Sequence, residues 1–442
     1  MSTALPRIDD RQRRARLGRR HRLAGASRSA DVVTVAGDLA GLHGSDPASV
    51  FLSARARLRR PGGTVAALES ALYEERTLIR TLCMRRAMFV VPLDLVPVVQ
   101  AAVTDALVPG ERRRAARMVE DAGIAADGAE WLAAMEAETL AELAARQEAT
   151  GAELSSAVAG LNHQVPVGEG KTWAGTVGMT SRVLFLLATE QRIVRGRPKG
   201  SWTSSQYRWS PIEAWIPGGV PALPAEAARA ELARRYLAAY GPATTADLKW
   251  WTGWTLGQAR SALAAVGAVE VALTGEAASP GRRLGGQGGA GGRRDTAAAA
   301  SPASAGGAAA SPASAAGAAD DTAWVLPDDL EPVPTPRPWV ALLPSLDPTT
   351  MGWQRREWYL GGHGPALFDR NGNAGPSVWA DGRIIGGWAQ RRTGEVVFDL
   401  LEDAGSETAA AVAEAAGELE TWLGSMRITP RFPTPLQRSL AD

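Results

Sequence analysis

The chain has 442 residues, with 48 Lys or Arg, 47 Asp or Glu, four His and one Cys. The single cysteine, Cys83, excludes a disulfide framework and a zinc site built from several cysteines, which is typical of a reducing cytosol. There is no run of about 18 apolar residues that would predict a membrane span, and the Arg-rich N-terminus lacks the apolar core of a signal peptide. We therefore expect a cytoplasmic protein that makes no membrane contact.

The net charge of +1 hides an uneven distribution of charge along the chain. Residues 1–100 contain 17 Lys or Arg and 9 Asp or Glu, so the remainder of the chain is acidic. Arginine accounts for 45 of the 48 basic residues. A GC-rich coding bias explains much of this preference, but the guanidinium group also binds phosphates in a bidentate manner. The basic end of the chain is therefore compatible with a nucleic-acid partner.

The first unit, residues 1–92, has the pattern of short helices followed by a hairpin. Helical periodicity predicts four helices, over residues 11–23, 31–42, 49–58 and 65–74. Residues 77–91 are predicted to form two strands, with Met84, Arg85 and Arg86 between them. Helices followed by such a hairpin are the order of a winged helix, in which a helix-turn-helix precedes a β-wing.

The same order recurs in residues 93–215 and again in residues 216–338. In the second unit we predict helices over 131–147 and 176–190 and hairpin strands over 192–197 and 206–209. In the third unit we predict helices over 225–240, 244–251 and 256–266, a strand over 269–273 and an antiparallel return over 323–326. Capping boxes beginning at Thr150 and Thr244 mark two helix starts. Three ordered copies favour tandem winged helices.

Two segments differ from these units in composition or in predicted secondary structure. Residues 277–320 consist mainly of Gly, Ala, Ser and Pro and predict a disordered insertion in the third unit. Residues 339–442 predict a small β-rich unit packed on the third winged helix, with strands over 339–343, 357–360, 377–380, 383–389, 396–400 and 427–432 and a helix over 407–423. The predicted fold class is α+β, with three tandem winged-helix units, a C-terminal β-rich unit and a disordered insertion.

Common catalytic motifs are missing from the sequence. The glycine-rich segment before Lys171 resembles a phosphate-binding loop, but Val165 stands where that motif requires glycine. The four histidines lie far apart and none has the spacing of a metal ligand pair on one helix. The Gly-x-Ser-x-Gly motif of hydrolases is also missing. We therefore expect no metal and no cofactor.

The densest group of reactive side chains is His43, Ser45 and Asp46, which fall within four residues. Glycines and Pro47 interrupt the helical pattern there, and the free N–H groups of the following helix are suited to an anion or a polarised water. An ordinary structural explanation stays open. Ser45 or Asp46 then caps the next helix, and His43 is a partly buried imidazole with satisfied hydrogen bonds.

Basic and aromatic residues of the predicted hairpins and loops are candidates for contacts to DNA. Arg85 and Arg86 lie in the first hairpin, and Trp202 lies in a polar loop close to Arg197 and Lys199, where its ring is suited to stacking on a base. Most of the other 14 tryptophans are expected in the core. The candidate DNA-binding residues are Arg55, Arg85, Arg86, Arg197, Lys199 and Trp202.

With these residues in view, the chain resembles the winged-helix DNA-binding proteins of the AlkZ and YcaQ type, bacterial DNA glycosylases that remove bulky alkylated bases and unhook interstrand crosslinks. The resemblance rests on residues 39–47 leading into 51–55, on TLIRTLCMRRAMFVVP at 77–92, on 240–244 and on 367–388. It covers nearly the whole chain except the insertion. The catalytic loop of that family carries Gln, any residue, then Gln or Asp, and these two positions fall on His43 and Ser45 here.

The resemblance implies two alternative functions. In the first, the chain is a monofunctional DNA glycosylase that hydrolyses the N-glycosidic bond of N7-alkylated purines or unhooks interstrand crosslinks, with His43 as general base and Ser45 or Asp46 orienting it. In the second, the loop has lost its chemistry, and the chain is a DNA-binding regulator or a lesion-binding protein. Either function implies double-stranded DNA as the partner and a nucleoid-associated protein, which we expect to be a monomer. A role independent of DNA stays as a third possibility.

Overall fold

The structure is a computed structural model that describes residues 4–168, 170, 174–275 and 322–441. The predicted insertion, residues 277–320, lies outside the described residues, as does Lys171 of the glycine-rich segment. Within the described residues helices alternate with five small sheets, so the predicted α+β class is confirmed. The division into three winged-helix units stays an interpretation.

The first unit contains a three-stranded sheet in the order β2-β4-β3. Its elements are β1 Arg7–Asp9, α1 Asp10–Arg20, α2 Val32–Asp38, β2 Leu42–His43, α3 Pro47–Arg55, α4 Thr64–Glu69, β3 Leu78–Leu82 and β4 Met88–Pro92. The predicted hairpin is present as β3 and β4. The helix predicted over 31–42 is too long. It ends at Asp38 because Ala40 and Gly41 adopt φ angles of 51° and 114°, which turn the chain into β2.

The second unit is mostly helical and ends in a hairpin. Its elements are α5 Val96–Val99, α6 Val108–Asp121, α7 Gly128–Arg146, β5 Ala149–Thr150, α8 Gly151–Ala157, β6 Gln164–Val167, β7 Gly175–Gly178, α9 Met179–Thr189, β8 Ile193–Pro198 and β9 Tyr207–Pro211. The helix predicted from residue 176 begins late, because β7 pairs antiparallel with β6. The capping box at Thr150 is present and starts α8.

The third unit follows the predicted order closely. Its elements are α10 Ala225–Tyr240, α11 Thr245–Thr252, α12 Leu256–Ala265, β10 Val269–Thr274 and β11 Thr322–Val325. The capping box at Thr244 starts α11, and β11 returns antiparallel to β10 as predicted. One pairing was not predicted, since β1 of the N-terminus joins β10 in parallel and ties the first unit to the third.

The C-terminal unit is a four-stranded antiparallel sheet with helices on its faces. Its elements are β12 Val340–Leu343, α13 Glu357–Leu360, α14 Gly364–Leu367, β13 Ser377–Ala380, β14 Arg383–Gln390, β15 Val396–Leu400, α15 Ser406–Leu423 and α16 Pro435–Ala441. Two predicted strands are wrong. Residues 357–360 form a helical turn, and residues 427–432 are irregular. A short apolar run such as Trp358-Tyr359-Leu360 does not by itself distinguish strand from helix.

The C-terminal unit packs on two other units. Aromatic rings join it to the third unit, with Trp353 and Tyr240 at a centroid distance of 5.2 Å. A second apolar cluster joins it to α2, α3 and α4, and includes Phe51, Trp388 and Leu419. The predicted contact with the third unit is present, and the contact with the first unit was not predicted. Residues 39–58 of the first unit therefore pack against the C-terminal unit.

A buried ion pair fastens the end of α3 to the C-terminal unit. Arg57 and Asp347 are both 0% exposed, with Nη2 of Arg57 2.6 Å from Oδ1 of Asp347. Ser53 donates a hydrogen bond to the same carboxylate at 2.7 Å. Burial raises the pKa of Asp347, but the Arg57 and Ser53 contacts outweigh this, so the pKa is lowered and the pair stays charged.

Within residues 4–168, 170, 174–275 and 322–441, no single helix has both the length and the apolar character of a membrane span. The segments Leu93–Thr104 and Val108–Asp121 have both only when taken together, and they are bent by 66° at their junction.

Candidate active site and nucleic-acid interface

His43 lies in β2, the edge strand of the first unit's sheet. It pairs with Phe89 of β4, and the two rings are tilted with their centroids 4.9 Å apart. The chain enters β2 through Gly41, whose φ of 114° is rarely adopted by residues with a side chain. A Cβ atom at this position would lie 2.9 Å from Cγ1 of Val91, so glycine is needed for both conformation and space.

The imidazole of His43 is held in its neutral form. It is 6% exposed, and burial lowers its pKa to about 3, with the charge of Arg85 lowering it further and that of Asp347 opposing this. Its Nδ1 atom is buried and has no hydrogen-bond partner among the described residues. A neutral imidazole has one donor and one acceptor nitrogen, so this ring has hydrogen-bonding capacity left for a ligand.

Ser45 and Asp46 take structural roles in the described loop. The Ser45 hydroxyl accepts a hydrogen bond from the Met88 N–H at 3.3 Å. The Asp46 carboxylate accepts one from the Ala48 N–H at 3.1 Å and caps α3, while burial raises the pKa of Asp46. Neither side chain hydrogen-bonds His43 within the described part of the chain. The expectation that one of them orients the imidazole is therefore not met in this conformation.

Arginines from three parts of the chain meet at residues 43–46. Arg80 of β3 donates through Nη1 to the Gly44 carbonyl at 3.1 Å, and Arg431 of the C-terminal unit donates to the Ser45 carbonyl at 2.9 Å. Arg195 of β8 lies 3.5 Å from Sδ of Met88, the residue that pairs with the loop. The first, second and C-terminal units therefore each place an arginine beside the loop or the adjoining Met88, whereas the positive charge that lowers the pKa of His43 is that of Arg85.

The two hairpin arginines that were predicted to contact DNA are partly engaged within the protein. The guanidinium of Arg85 lies 3.8 Å from the ring centroid of Trp250 in the third unit. Burial lowers the pKa of Arg85 to about 10, and Arg356 adds to this effect. Arg86 forms an ion pair with Glu111 at 2.8 Å. Both arginines lie in the β3–β4 turn and keep part of their surface exposed.

The second hairpin presents the other basic candidates. Arg197 pairs with Glu69 and Glu74 at 3.0 and 3.1 Å, which neutralises part of its charge. Lys199 is exposed in the β8–β9 connection. Since β8 packs beside β3, this hairpin and the first one lie next to each other.

The expectation that Trp202 is available in a polar loop is wrong. Trp202 is 9% exposed, and its ring centroid lies 4.9 Å from that of Phe51 and 5.6 Å from that of Trp422. Arg55, another predicted DNA contact, lies over the outer part of this cluster, with its guanidinium 5.4 Å from the Trp422 ring. The loop containing Trp202 folds back because the large ring is buried more favourably than it is hydrated. Stacking on a base would require Trp202 to leave this cluster.

The site contains residues that sequence reasoning missed. Arg80 could have been noticed in the sequence, because it is the one charged residue of the strand over residues 78–82, whose other members are Leu, Ile and Thr. Arg195, Tyr207 and Arg431 could not have been found in the sequence, since their contacts with Met88, Arg80 and Ser45 depend on the packing of three units.

A family model described as DNA glycosylase AlkZ-like matches residues 36–299 and 287–422, which include the His43 loop and both hairpins. The chain belongs to the AlkZ-like DNA glycosylase family. The fold is similar to that of Streptomyces sahachiroi DNA glycosylase AlkZ, with a TM-score of 0.60 and 17% sequence identity over 92% of this chain and 96% of that chain. No curated protein sequence matches the chain significantly. The resemblance noted in the sequence is confirmed, and membership of this family supports a role as a DNA glycosylase.

No group of three or more His, Cys, Asp or Glu side chains able to hold a metal ion occurs among the described residues.

Proposed function

We propose that the protein is a monofunctional DNA glycosylase that hydrolyses the N-glycosidic bond of N7-alkylated purines in double-stranded DNA or unhooks interstrand crosslinks. Membership of the AlkZ-like family supports the reaction class. The observation that carries the assignment to this loop is the buried, neutral His43, whose Nδ1 has no partner among the described residues. His43 also stands where the resemblance places a catalytic glutamine.

The reaction requires little catalytic assistance from the protein. An N7-alkylated purine carries a positive charge, so it leaves readily and takes the C1′–N9 bonding electrons with it. A water oxygen then bonds to C1′ of the oxocarbenium-like sugar while His43 accepts a hydrogen bond from that water, and the water proton is released to solvent. A neutral His43 suits this reaction, because an imidazolium would repel both the cationic base and the developing positive charge on the sugar.

The low pKa of His43 refines this role. A group with a pKa of about 3 is a weak proton acceptor, so a full proton transfer early in the reaction is unfavourable. A hydrogen bond from the attacking water to the neutral ring is sufficient, because an oxocarbenium-like sugar needs little activation of its nucleophile. The amide oxygen of glutamine can accept the same hydrogen bond. This explains how His43 and the glutamine of the resembled family can fill one position.

Hydrolysis without strand cleavage is the expected outcome. A glycosylase that also cleaves the strand uses an amine to form a Schiff base with the sugar. Residues 39–47 contain no lysine, and the two described lysines are Lys199 in the second hairpin and Lys249 in α11.

The test is base release from a duplex that contains a single N7-methylguanine, or from a nitrogen-mustard crosslink. Purified wild-type protein should create abasic sites that alkali converts into strand breaks, and no breaks should appear before alkali. His43→Ala should reduce the rate by about tenfold, the equivalent of one lost hydrogen bond, while His43→Gln should retain most of it. Equal strand breakage by wild type and His43→Ala would contradict the assignment of His43.

A second function is lesion binding without catalysis. It is favoured by the use of Ser45 and Asp46 in backbone hydrogen bonds, which leaves His43 without an orienting partner in the described structure. This alternative predicts tight, salt-dependent binding of the same lesion duplex and no base release. The two functions are separated by one experiment, because only the first produces alkali-labile sites.

A further inference from the structure

Arg80 is buried and Arg195 is partly buried beside the loop of residues 43–46, and neither pairs with a carboxylate among the described residues. Arg80 is 4% exposed, and its Nε atom is buried without a hydrogen-bond partner. Its neighbour Arg195 is partly buried, and the contacts of its guanidinium are the sulfur of Met88 and the ring of Trp209, 4.5 Å from its centroid. Neither arginine forms an ion pair with any residue that the structure describes, whereas Arg197, two residues further along β8, has two.

Tyrosines complete the surroundings of these two arginines. The guanidinium carbon of Arg80 lies 5.0 Å from the ring centroid of Tyr207, and Arg80 also interacts with the hydroxyl of Tyr73. The Tyr207 hydroxyl is buried and has no hydrogen-bond partner in the described ranges. Burial lowers the pKa of Arg195 to about 10; Tyr207 opposes this lowering and the charge of Arg80 adds to it. The cluster thus combines two like charges with an unused hydroxyl donor.

An arrangement of this kind is unfavourable in the free protein. Burying a charged group without a partner costs several kcal/mol, and a second like charge adds to the cost. Arg195 nevertheless keeps part of its surface exposed, so an anion can approach the cluster beside this residue, with the buried Tyr207 hydroxyl behind it. A negatively charged group would supply the missing partner for both guanidinium groups and accept a hydrogen bond from the Tyr207 hydroxyl.

We propose that Arg80, Arg195 and Tyr207 form a binding site for one backbone phosphodiester of DNA. Arg80 donates to the Gly44 carbonyl and Arg195 contacts Met88, so the site lies beside the loop, on the face of the β2-β4-β3 sheet opposite to the His43 ring. Charge-assisted hydrogen bonds from guanidinium groups to phosphate oxygens are among the strongest in proteins. This inference rests on the proposed binding of duplex DNA and adds to it the residues that position the target strand.

The first experiment measures duplex affinity and thermal stability in the same variants. Arg195→Met should weaken binding of the lesion duplex about tenfold and reduce the salt slope by about 0.9, the loss of one phosphate contact. The melting temperature of the free protein should stay the same or rise, because an unpaired buried charge has been removed. The matched control is Arg146→Met, which removes an exposed, ion-paired arginine of α7 and should leave affinity and salt slope unchanged.

The outcomes separate this proposal from the function on which it rests. If wild-type protein does not bind the duplex, both the proposed function and the proposed phosphate-binding site are refuted. If wild type binds and Arg195→Met binds equally well with the same salt slope, only the phosphate-binding site is refuted. If Arg195→Met lowers the melting temperature, Arg195 is a structural residue, and the proposal is also overturned.

A second experiment identifies the source of the phosphate. A series of duplexes, each with one methylphosphonate near the lesion, removes one backbone charge at a time. Wild type should lose about tenfold in affinity at one position, the equivalent of one charge-assisted contact, and Arg195→Met should lose nothing further there. If no position shows this loss, and millimolar inorganic phosphate instead raises the melting temperature of wild type but not of Arg195→Met, the site binds the free ion and the DNA assignment is overturned.

Discussion

The replacement His43→Gln should remove one source of acid instability from the protein. The pKa of His43 falls from about 6.5 in the unfolded chain to about 3 in the folded one. Between these values the unfolded state binds the proton and the folded state does not, so the free energy of unfolding decreases as the pH falls below 6.5. For one such histidine the loss between pH 7 and pH 5 is roughly 2 kcal/mol.

Urea unfolding at pH 5, 6, 7 and 8 measures this linkage. The difference in unfolding free energy between wild type and His43→Gln should shift by roughly 2 kcal/mol between pH 7 and pH 5, in favour of the variant. His21 is also buried, with a pKa lowered to about 3, but it is present in both proteins and its contribution cancels. His163→Gln is the matched control, because His163 is exposed. It should follow the wild-type curve.

Parallel curves for wild type and His43→Gln would refute the reasoning, since they would show that the folded state binds a proton at His43 as readily as the unfolded state. Because His43 stays uncharged, the rate of base release by wild type should be the same from pH 8 to pH 5. A loss of activity with a midpoint near pH 6.5, in protein that is still folded, would show that His43 titrates as an exposed imidazole.

Three other variants test the packing around the site. Arg57→Met leaves the Asp347 carboxylate buried without its cation and should cost about 3–5 kcal/mol in urea unfolding; a cost below about 1 kcal/mol would contradict the buried pair. Trp202→Ala should lower the unfolding free energy by about 3 kcal/mol without weakening duplex binding by the folded protein; a selective loss of binding would restore the stacking role. Gly41→Ala should destabilise by about 1–3 kcal/mol, whereas Gly25→Ala, where a Cβ meets open space, should be neutral in the same assay.

Several elements could be predicted because their causes are local. The helix expected over 225–240 is present as Ala225–Tyr240, bounded by Pro224 and Gly241. The boxes at Thr150 and Thr244 start helices because the cap and its partner are three residues apart. The predictions failed where a local pattern permitted two structures, as at residues 357–360, or where pairing with a distant segment decided the outcome, as for β7.

The candidate loop, residues 43–46, also has some features that the sequence shows and others that only the folded chain shows. Its position, its polar residues and the glycines that interrupt the helix are visible in the sequence, and so is the excess of basic residues in the first hundred. The net charge of +1 did not reveal that Arg80 and Arg431 contact residues 43–46 and that Arg195 contacts the adjoining Met88, from three separate units. Only the folded chain brings those charges together, because each belongs to a different packing contact.

Tertiary structure also decides which groups are available for chemistry. Trp202 has the sequence surroundings of an exposed loop, but it is buried between Phe51 and Trp422. His43 has the residue type of a neutral-pH base, but its pKa of about 3 makes it a hydrogen-bonding group that stays uncharged. Residue type sets the reference pKa and the hydrogen-bonding capacity of a side chain. Its pKa in the folded protein is set by desolvation and by the charges of residues distant in sequence. Desolvation and these charges depend on packing, and packing is not a local property of the sequence.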